Sequence, residues 1–261
     1  MSVDSETVLV GRLRAAGCVF AEDEARLLLA AAATPAELEA LTARRVAGEP
    51  LEQVLGWAGF RGLRIHVEPG VFVPRRRTEL LVEEAVRLAP PRPVAVDLCC
   101  GSGAVGAALA AELDLAELYA ADLDPAAVRC ARRNVPGEVF EGDLYAALPD
   151  GLRVRVDLLV VNVPYVPTEA VALMPPEARL HEPQLALDGG ADGLDIARRV
   201  IAGAPAWLAP GGHLLIETSE RQAPALVRAA TGAGLVPRVA TSDELDATAL
   251  VARRGRGLGG S

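Results

Sequence analysis

The residues best suited to chemistry form the tetrapeptide Asn162-Val163-Pro164-Tyr165, which we predict to be catalytic. It follows an apolar run, Val156 to Val161, whose length is typical of a buried strand. The Asn162 amide oxygen and the Val163 carbonyl offer acceptors for the two N–H groups of a planar NH2 group, and the Tyr165 ring offers a flat packing surface. The tetrapeptide therefore predicts a grip for an amide or amine nitrogen.

A glycine-rich turn, Asp97-Leu98-Cys99-Cys100-Gly101-Ser102-Gly103, follows an earlier apolar run. Its glycines permit close backbone approach, and the helix predicted from about Ala104 presents unpaired N–H groups to a ligand. At the end of the strand, Asp97 is placed to hold a cationic amino group. By itself this turn is a weak signal for a cofactor, since tight turns also need glycine.

Two further carboxylates strengthen the signal, because they follow the next two predicted strands. Asp122 lies about 20 residues beyond Gly103, where a carboxylate accepts hydrogen bonds from ribose hydroxyls. Asp143 is placed to accept from an adenine amine, with Leu144 packing on the ring. The predicted cofactor-binding residues are Asp97, Cys99, Cys100, Gly101, Ser102, Gly103, Asp122, Asp143, Leu144 and Asn162. Such a cofactor site beside a nitrogen grip favours methyl transfer.

From Val94 onward, predicted strands and helices alternate, which indicates an α/β fold with a mostly parallel, doubly wound sheet. The strands are predicted at Val94–Leu98, Leu118–Ala121, Val139–Glu141, Asp157–Val161 and His213–Glu217, with a final antiparallel pair at Leu235–Ala240 and Thr248–Ala252. Helices are predicted from about Ala104, after Asp124, over Leu194 to Leu208 and over Ala223 to Ala230. Ligands bind outside the carboxyl ends of such strands, where all the polar turns lie.

The chain before this sheet divides into two parts. Residues 1–50 carry helical periodicity, with a capping box at Thr34 to Glu37 and a helix stop at Gly48. Residues 51–75 form a predicted β-hairpin linker, since glycines punctuate a strand-like alternation. Residues 76–261 form the cofactor-binding domain, with a helix over Glu79 to Leu88. The Arg/Gly-rich end, residues 253–261, is expected to fray.

Composition limits the classes of protein. At 261 residues and 51% hydrophobic content, the chain can bury one substantial core beside a small second module. A net charge of −9 argues against a direct nucleic-acid surface. The apolar stretch Leu27 to Ala33 is too short to span a membrane. Four cysteines without metal-like spacing fit a reducing cytoplasm, and we expect a cytoplasmic monomer with no metal.

Five segments form a recognisable set. They are Ala47-Gly48-Glu49-Pro50-Leu51 with Gly56 and Phe60, Phe72-Val73-Pro74-Arg75 with Thr78-Glu79-Leu80-Leu81-Val82, the turn Asp97 to Gly103 with Asp122 and Asp143, the tetrapeptide Asn162 to Tyr165, and the stretch Glu182 to Leu194. With them the chain resembles, over nearly its whole length, the HemK/PrmC class of protein glutamine methyltransferases. The tetrapeptide alone would also suit adenine methyltransferases of DNA, but the last stretch and the N-terminal module are distinctive for the HemK/PrmC class.

The resemblance implies a Rossmann-like class I methyltransferase sheet and S-adenosyl-L-methionine as cofactor. It implies a glutamine side chain in the Gly-Gly-Gln loop of a peptide-chain release factor as acceptor, and an N-terminal domain that helps to dock that protein. The chain departs from the class pattern at several positions. Val163 replaces a proline, Cys99-Cys100 replaces Gly-Thr, Arg76-Arg77 replaces a proline and an acidic residue, and the stretch Asp243 to Val251 lacks an expected arginine.

Three alternatives stay open. The acceptor could be another protein amide, a small-molecule amide or amine, or a nucleobase, although the acidic balance disfavours the last. The chain could be a non-catalytic module that keeps the cofactor pocket, for which Val163 and Cys99 are the best support. A nicotinamide-dependent oxidoreductase would leave the tetrapeptide unexplained, and Cys99 stands where its first glycine is expected.

Overall fold

The computed structural model describes residues 3–256, with side chains from Glu6 onward. The N-terminal module consists of α1 (Val3–Ala15), α2 (Ala21–Ala31), α3 (Pro35–Val46) and α4 (Leu51–Leu55). These helices pack around a small apolar cluster formed by Leu9, Leu13, Ala21, Ala25, Leu28 and Val54. The predicted ends of α3 are confirmed, because the Thr34 side chain accepts the Glu37 N–H at 3.1 Å and Gly48 adopts a φ of +97° just past the helix.

A two-stranded hairpin follows, made of β1 (Trp57–Phe60) and β2 (Leu63–His66). The strand-like interpretation of residues 51–55 is wrong, since these residues form α4. Leu51, Val54 and Leu55 recur at helical spacing, and all three pack on the N-terminal cluster. Burial of this stripe against the other helices outweighs the glycine punctuation that follows it.

Within residues 3–256 a seven-stranded sheet forms the core, in the order β5-β4-β3-β6-β7-β9-β8. Its strands are β3 (Val94–Leu98), β4 (Glu117–Asp122), β5 (Glu138–Glu141), β6 (Val156–Val161), β7 (Leu208–Thr218), β8 (Leu235–Ser242) and β9 (Ala247–Arg254). Strands β3 to β7 are parallel, and β9 pairs antiparallel with both β7 and β8. The predicted α/β fold and its final antiparallel pair are confirmed.

The order in which strands are added to the sheet reverses at β3, so that β4 and β6 lie on opposite sides of it. The chain builds outward from β3 to β4 and β5, then returns to place β6 on the other side of β3. Leu98 at the end of β3 is in register with Val161 at the end of β6. The glycine-rich turn and the tetrapeptide therefore leave the sheet side by side, at the switch point where ligands bind in such folds.

Helices cover both faces of the sheet. They are α5 (Glu79–Leu88), α6 (Ala104–Glu112), α7 (Pro125–Ala131), α10 (Asp195–Gly203) and α11 (Ala223–Gly232), whereas the short helices α8 (Thr168–Val171) and α9 (Pro176–His181) lie in the segment between β6 and α10. Neighbouring residues of β3 serve opposite faces: Ala95 packs with α5, α6 and α7, whereas Val96 packs with α10 and α11. Both apolar faces of the sheet are thereby buried.

Two predicted boundaries shift. The helix predicted to reach Leu208 ends at Gly203, and a 3₁₀ turn at Ala204–Ala206 follows it. Pro205 lacks an N–H group, so the α-helical hydrogen bonding cannot continue through it. At the other end, β9 extends through Arg254, so residues 253–254 do not fray, and residues 257–261 lie outside the described part of the chain. Among the described residues, no helix is long and apolar enough to cross a membrane.

Candidate active site

The turn after β3 is bent by three residues in the left-handed region, Cys99 at φ +60°, Gly101 at +54° and Gly103 at +78°. Gly103 is required for packing, since a Cβ atom there would lie 2.5 Å from Val135 Cγ2. Cys99 adopts this conformation despite its side chain, at a steric cost that glycine avoids. The bend exposes the turn at the carboxyl end of the sheet.

Asp97 lies beneath this turn and is fully buried. Its Oδ2 accepts the Gly106 N–H at 2.8 Å, and no cationic side chain among residues 3–256 pairs with it. Burial, with a smaller contribution from the Asp122 charge, raises the pKa of Asp97 to about 7. A cationic group brought next to Asp97 would favour its ionised form.

Asp122 ends β4 and joins two turns. Its Oδ2 accepts the Gly101 N–H at 2.8 Å and its Oδ1 accepts the Asp124 N–H at 2.9 Å. Burial raises the pKa of Asp122. Asp124 caps α7 through the Ala126 N–H at 2.8 Å, as its sequence position predicts. Each Asp122 oxygen keeps a further lone pair for a hydroxyl donor.

Asp143 follows β5, and it has a partner that sequence reasoning missed. Its Oδ2 accepts from Arg199 of α10 at 2.7 Å. The two residues are 56 positions apart, and only the packing of α10 beside the end of β5 brings them together. Leu144, buried and at φ +50°, and Ile196 of α10 lie beside this pair.

One cavity joins these residues to the tetrapeptide. The predicted site residues on its wall are Asp97, Cys99, Cys100, Gly101, Ser102, Asp122, Asp143, Leu144, Asn162 and Pro164. Gly103, Val163 and Tyr165 were predicted with them but do not line it. The wall also includes residues that were not singled out as site residues, among them Phe72, Pro74, Thr78, Pro183 and Arg199, of which the first three belong to the segment Phe72 to Val82.

The tetrapeptide divides its side chains between cavity and core. Asn162 Nδ2 donates to Thr78 Oγ1 at 3.4 Å, on the cavity wall. Val163 is 2% exposed and packs in the apolar core on the α10 face of the sheet. The Tyr165 hydroxyl donates to Glu217 Oε1 at 3.2 Å, and Thr78 Oγ1 donates to Glu217 Oε2 at 2.6 Å. Glu217, at the end of β7, was interpreted from sequence only as a strand residue.

The segment from Val166 to Leu194 packs back onto the tetrapeptide. The Gly189 N–H donates to the Val166 carbonyl at 2.8 Å, and Gln222 Nε2 donates to the Tyr165 carbonyl at 2.9 Å. A Cβ atom at Gly193 would lie 2.2 Å from the Tyr165 carbonyl oxygen. These contacts explain why a glycine-rich stretch accompanies this tetrapeptide.

Arg75 and Glu182 join two of the recognisable segments. Arg75 Nη2 donates to Glu182 Oε1 at 2.6 Å, and the same oxygen accepts the Val73 N–H at 3.2 Å. The Arg75 guanidinium lies 5.2 Å from the centre of the Phe72 ring, which faces the cavity. Arg75 therefore shapes the mouth of the cavity, whereas Arg76 pairs with Glu244 on the exposed surface.

Residues 62–232 match the family described as methyltransferase small domain. The chain is 38% identical to a release factor glutamine methyltransferase of Cereibacter sphaeroides over 94% of its own length and 95% of that protein. It is 43% identical to a protein of the same name from Geobacter sulfurreducens, over 72% of this chain and 68% of that relative. It is also 40% identical to a 4-amino-L-phenylalanine/4-methylamino-L-phenylalanine methyltransferase of Streptomyces pristinaespiralis, over 71% of this chain and 68% of that one.

Among solved structures, the E. cuniculi Mtq2-Trm112 complex, responsible for methylation of the eRF1 translation termination factor, superposes with a TM-score of 0.51. The match covers 71% of this chain and 99% of that chain at 19% identity, so it supports the fold alone. The sequence matches are to methyltransferases, and they favour methyl transfer over hydride transfer.

Proposed function

Because the chain belongs to the release factor glutamine methyltransferase family, we propose that it methylates the side-chain amide nitrogen of a glutamine in a peptide-chain release factor, with S-adenosyl-L-methionine as methyl donor. One observation carries the proposal. Asn162 lies on the wall of the same cavity as Asp97, Asp122 and Asp143, at the switch point of the sheet. The proposed nitrogen grip and the carboxylates proposed to bind the nucleoside thus share one space.

The residues of the cavity fit this cofactor. Asp97, buried without a cationic partner among the described residues, suits the cationic amino group of the amino-acid part. Asp122 suits the ribose hydroxyls, and Asp143 with Leu144 suits the adenine. When bound, the cofactor supplies a sulfonium methyl group, which is already a strong electrophile. The turn residues Cys99, Cys100, Gly101, Ser102 and Gly103 complete the proposed cofactor site.

The protein must position the acceptor nitrogen, because a carboxamide lone pair is delocalised into its carbonyl group. Asn162 Oδ1 and the Val163 carbonyl would accept one N–H each, which favours rehybridisation of the nitrogen and stabilises its developing positive charge. Pro164 lines the approach to the acceptor, whereas Tyr165, which was predicted to pack on the acceptor amide, lies off the cavity wall with its hydroxyl on Glu217. In-line alignment of this kind supplies several kcal/mol.

The proposed methyl transfer needs no general base. The N–C bond forms as the S–C bond breaks, and the nitrogen loses its proton to solvent afterwards. Because the proton leaves only after the methyl group has arrived, the proposed grip needs hydrogen-bond acceptors and no histidine or lysine acting as a base.

The proposal is tested by incubating purified protein with methyl-labelled S-adenosylmethionine and a purified release factor, then mapping the labelled residue by mass spectrometry. Asn162→Ala should lower kcat at least 100-fold and leave the Kd of the cofactor within a few-fold, because positioning acts in the transition state. Asp122→Ala should instead weaken cofactor binding about 10- to 100-fold, since each lost charge-assisted hydrogen bond contributes about 1.5–3 kcal/mol.

Asp150→Ala is the matched control, because Asp150 is an exposed carboxylate that lies outside the cavity wall. Unchanged cofactor affinity in Asp122→Ala, or near-wild-type turnover by Asn162→Ala, would refute the assigned roles. A wild-type protein that binds the cofactor and labels no release factor would refute the acceptor.

A second acceptor class is a small-molecule aromatic amine. The relative from Streptomyces pristinaespiralis, named for methylation of an aminophenylalanine, is as similar to this chain as the release factor enzymes are. Val163 in place of the class proline also lies at the acceptor grip. The same assay with 4-amino-L-phenylalanine decides between the two, by the ratio of kcat/KM for each acceptor.

We further propose that the enzyme acts in the cytoplasm as a monomer and contacts its protein substrate partly through the N-terminal helices. In the proposed domain division, 1–50, 51–75 and 76–261, the helices of residues 1–50 lie outside the cavity wall, and α4 packs with them although it falls in the second part. Light scattering of the purified protein, alone and with a release factor, tests the stoichiometry.

A further inference from the structure

Glu217 is a carboxylate placed where the described mechanism does not use it. It is 3% exposed at the end of β7, and none of the ion pairs among the described side chains includes it. Burying a carboxylate without an ion-pair partner is costly, so packing alone does not account for Glu217 at this position. Its two oxygens accept from Thr78 Oγ1 at 2.6 Å and from the Tyr165 hydroxyl at 3.2 Å.

Thr78 extends this arrangement to the acceptor grip. Thr78 is 3% exposed and lies on the cavity wall, in the 3₁₀ turn that precedes α5. Its Oγ1 accepts a hydrogen bond from Asn162 Nδ2 at 3.4 Å. A hydrogen-bonded chain thus runs from Glu217 through Thr78 to Asn162. Its members come from the end of β7, the start of α5 and the segment after β6.

We propose that Glu217 is a positioning residue, which acts through Thr78 to fix the direction in which the Asn162 amide faces. The inference rests on the proposed function, because it concerns the group that would hold the acceptor nitrogen. An amide oxygen and an amide nitrogen have nearly the same shape, so packing alone does not choose between the two orientations of an asparagine.

The number of protons available to Glu217, Thr78 and Asn162 decides between the two orientations of the Asn162 amide. An ionised carboxylate can only accept hydrogen bonds, so the single hydroxyl proton of Thr78 must be donated to Glu217. The Thr78 oxygen can then only accept, and Asn162 must turn its NH2 group toward it. Asn162 Oδ1 is left facing away from Thr78, free to accept an N–H of the incoming nitrogen.

Protonation of Glu217 would undo this arrangement. Burial raises the pKa of Glu217, while the hydrogen bond from Thr78 and the nearby Arg77 and Arg75 charges oppose the rise. Tyr165 is the other titratable group that faces it, and burial raises the pKa of Tyr165 to about 12, so it stays protonated in the working range. Activity at saturating cofactor should therefore fall as the pH falls through the pKa of Glu217.

The decisive variant is Glu217→Gln, which keeps the shape but adds an NH2 donor. If that group donates to Thr78, the hydroxyl proton turns toward Asn162 and favours the opposite amide orientation. We expect kcat to fall about 10- to 100-fold, because the acceptor nitrogen would no longer be held in the reactive geometry. The Kd of the cofactor should stay unchanged within about two-fold. The acid limb of the kcat profile should disappear in this variant.

Thr78 supplies a graded test. Thr78→Ser keeps the hydroxyl and should keep most of the activity, whereas Thr78→Val should behave like Glu217→Gln. The matched control is Glu84→Gln on α5, a largely buried carboxylate that pairs with Arg87 and Arg238 and does not line the cavity. It should leave both kcat and the pH profile unchanged.

A second readout does not depend on the acceptor. The side-chain NH2 resonances of Asn162, assigned in ¹⁵N-labelled protein by their loss in Asn162→Ala, should shift in Glu217→Gln and Thr78→Val but not in Glu84→Gln. Identical Asn162 resonances in the wild type and Glu217→Gln would overturn the positioning role, and so would full turnover with an intact acid limb. Failure of the wild type to label a release factor would refute the proposed acceptor, whereas the NMR comparison would still decide the role of Glu217.

Discussion

Alternate residues of the tetrapeptide meet different surroundings, as expected for a chain leaving a strand in extended conformation. Asn162 and Pro164 face the cavity, and Val163 faces the core. The acceptor that position 163 offers is its backbone carbonyl, which valine and proline both carry. The departure from the class pattern therefore changes the stiffness of the backbone and the packing beneath it, and leaves the polar groups of the proposed grip in place.

We expect Val163→Pro to fold and to keep transferring methyl groups at a rate within about ten-fold of the wild type. Among the described residues, the Val163 N–H donates no hydrogen bond, so its removal leaves no acceptor unpaired. The residue already precedes Pro164, which biases it to the extended conformation that proline also adopts. Circular dichroism and steady-state rates with the release factor provide the measurement.

Loss of activity in a folded Val163→Pro protein would have a different meaning. Valine would then be an adaptation to another acceptor, and the small-molecule amine would become the favoured substrate.

At the scale of elements, the segment between the tetrapeptide and α10 is held from two sides. One side is the tetrapeptide, because Gln222 Nε2 donates both to the Tyr165 carbonyl at 2.9 Å and to the Asp192 carbonyl of the segment at 3.1 Å. The other is the N-terminal module, where Arg45 of α3 binds Glu177 of α9 at 3.1 Å and Gln53 donates to the His181 carbonyl at 3.4 Å. The helical module is therefore connected to the segment that borders the tetrapeptide.

Arg45→Ala should loosen this connection and destabilise the N-terminal module. Arg45 also binds Glu24 of α2 at 2.6 Å, and Glu24 is only 8% exposed. The variant therefore leaves a buried carboxylate without its ion-pair partner. Removing one partner of a buried pair costs about 3–5 kcal/mol. We expect an earlier urea transition and faster amide hydrogen exchange in α9.

Arg12→Ala is the matched control, because its bidentate pair with Glu39 lies on the exposed surface of the same module. It should change neither measurement appreciably. Unchanged exchange in α9 of Arg45→Ala would mean that the Glu177 contact does not restrain the segment.

At the scale of the whole molecule, buried carboxylates with raised pKa values gather around the cavity, among them Asp97, Asp122, Glu182 and Glu217. Burial is the main cause in each. A folded state that holds carboxyl groups above their ordinary pKa binds extra protons, and its stability then falls as the pH rises through the folded pKa values. Such a protein favours ligands that bring positive charge.

The stability of the protein without cofactor should therefore decrease between pH 5.5 and pH 8, with Asp97 as a main contributor. Its folded pKa of about 7 lies above the ordinary 3.8, so its contribution is complete below 3.8 and is lost as the pH rises through 7. Asp97→Asn should flatten the pH dependence of Tm by an amount on the order of a few degrees.

S-adenosylmethionine should raise the Tm of the wild type more at pH 8 than at pH 5.5, because its cationic amino group favours the ionised form of Asp97. Differential scanning fluorimetry at the two pH values measures both effects. Parallel pH profiles of the wild type and Asp97→Asn would contradict the assignment of this group.

Local patterns determined much of this protein, because strand and helix periodicity, caps and turns depend on neighbouring residues. The run Val156 to Val161, the Asp124 cap and the capping box at Thr34 all form as predicted, since their hydrogen bonds and packing faces are set within a few positions. The alternation of strands and helices then predicted the parallel sheet, whose carboxyl ends carry Asp97, Asp122, Asp143 and Asn162.

Only the tertiary structure decided which side chains meet across long separations. Arg199 reaches Asp143, and Glu217 reaches Thr78 and Tyr165, although no local pattern marks these pairs. Strand periodicity predicts that a residue such as Glu217 is buried, but its partners depend on the order of strands in the sheet and on where the chain ends leave it. The sequence thus predicted the groups that we propose to hold a cofactor and a nitrogen, and the fold decided how those groups are oriented.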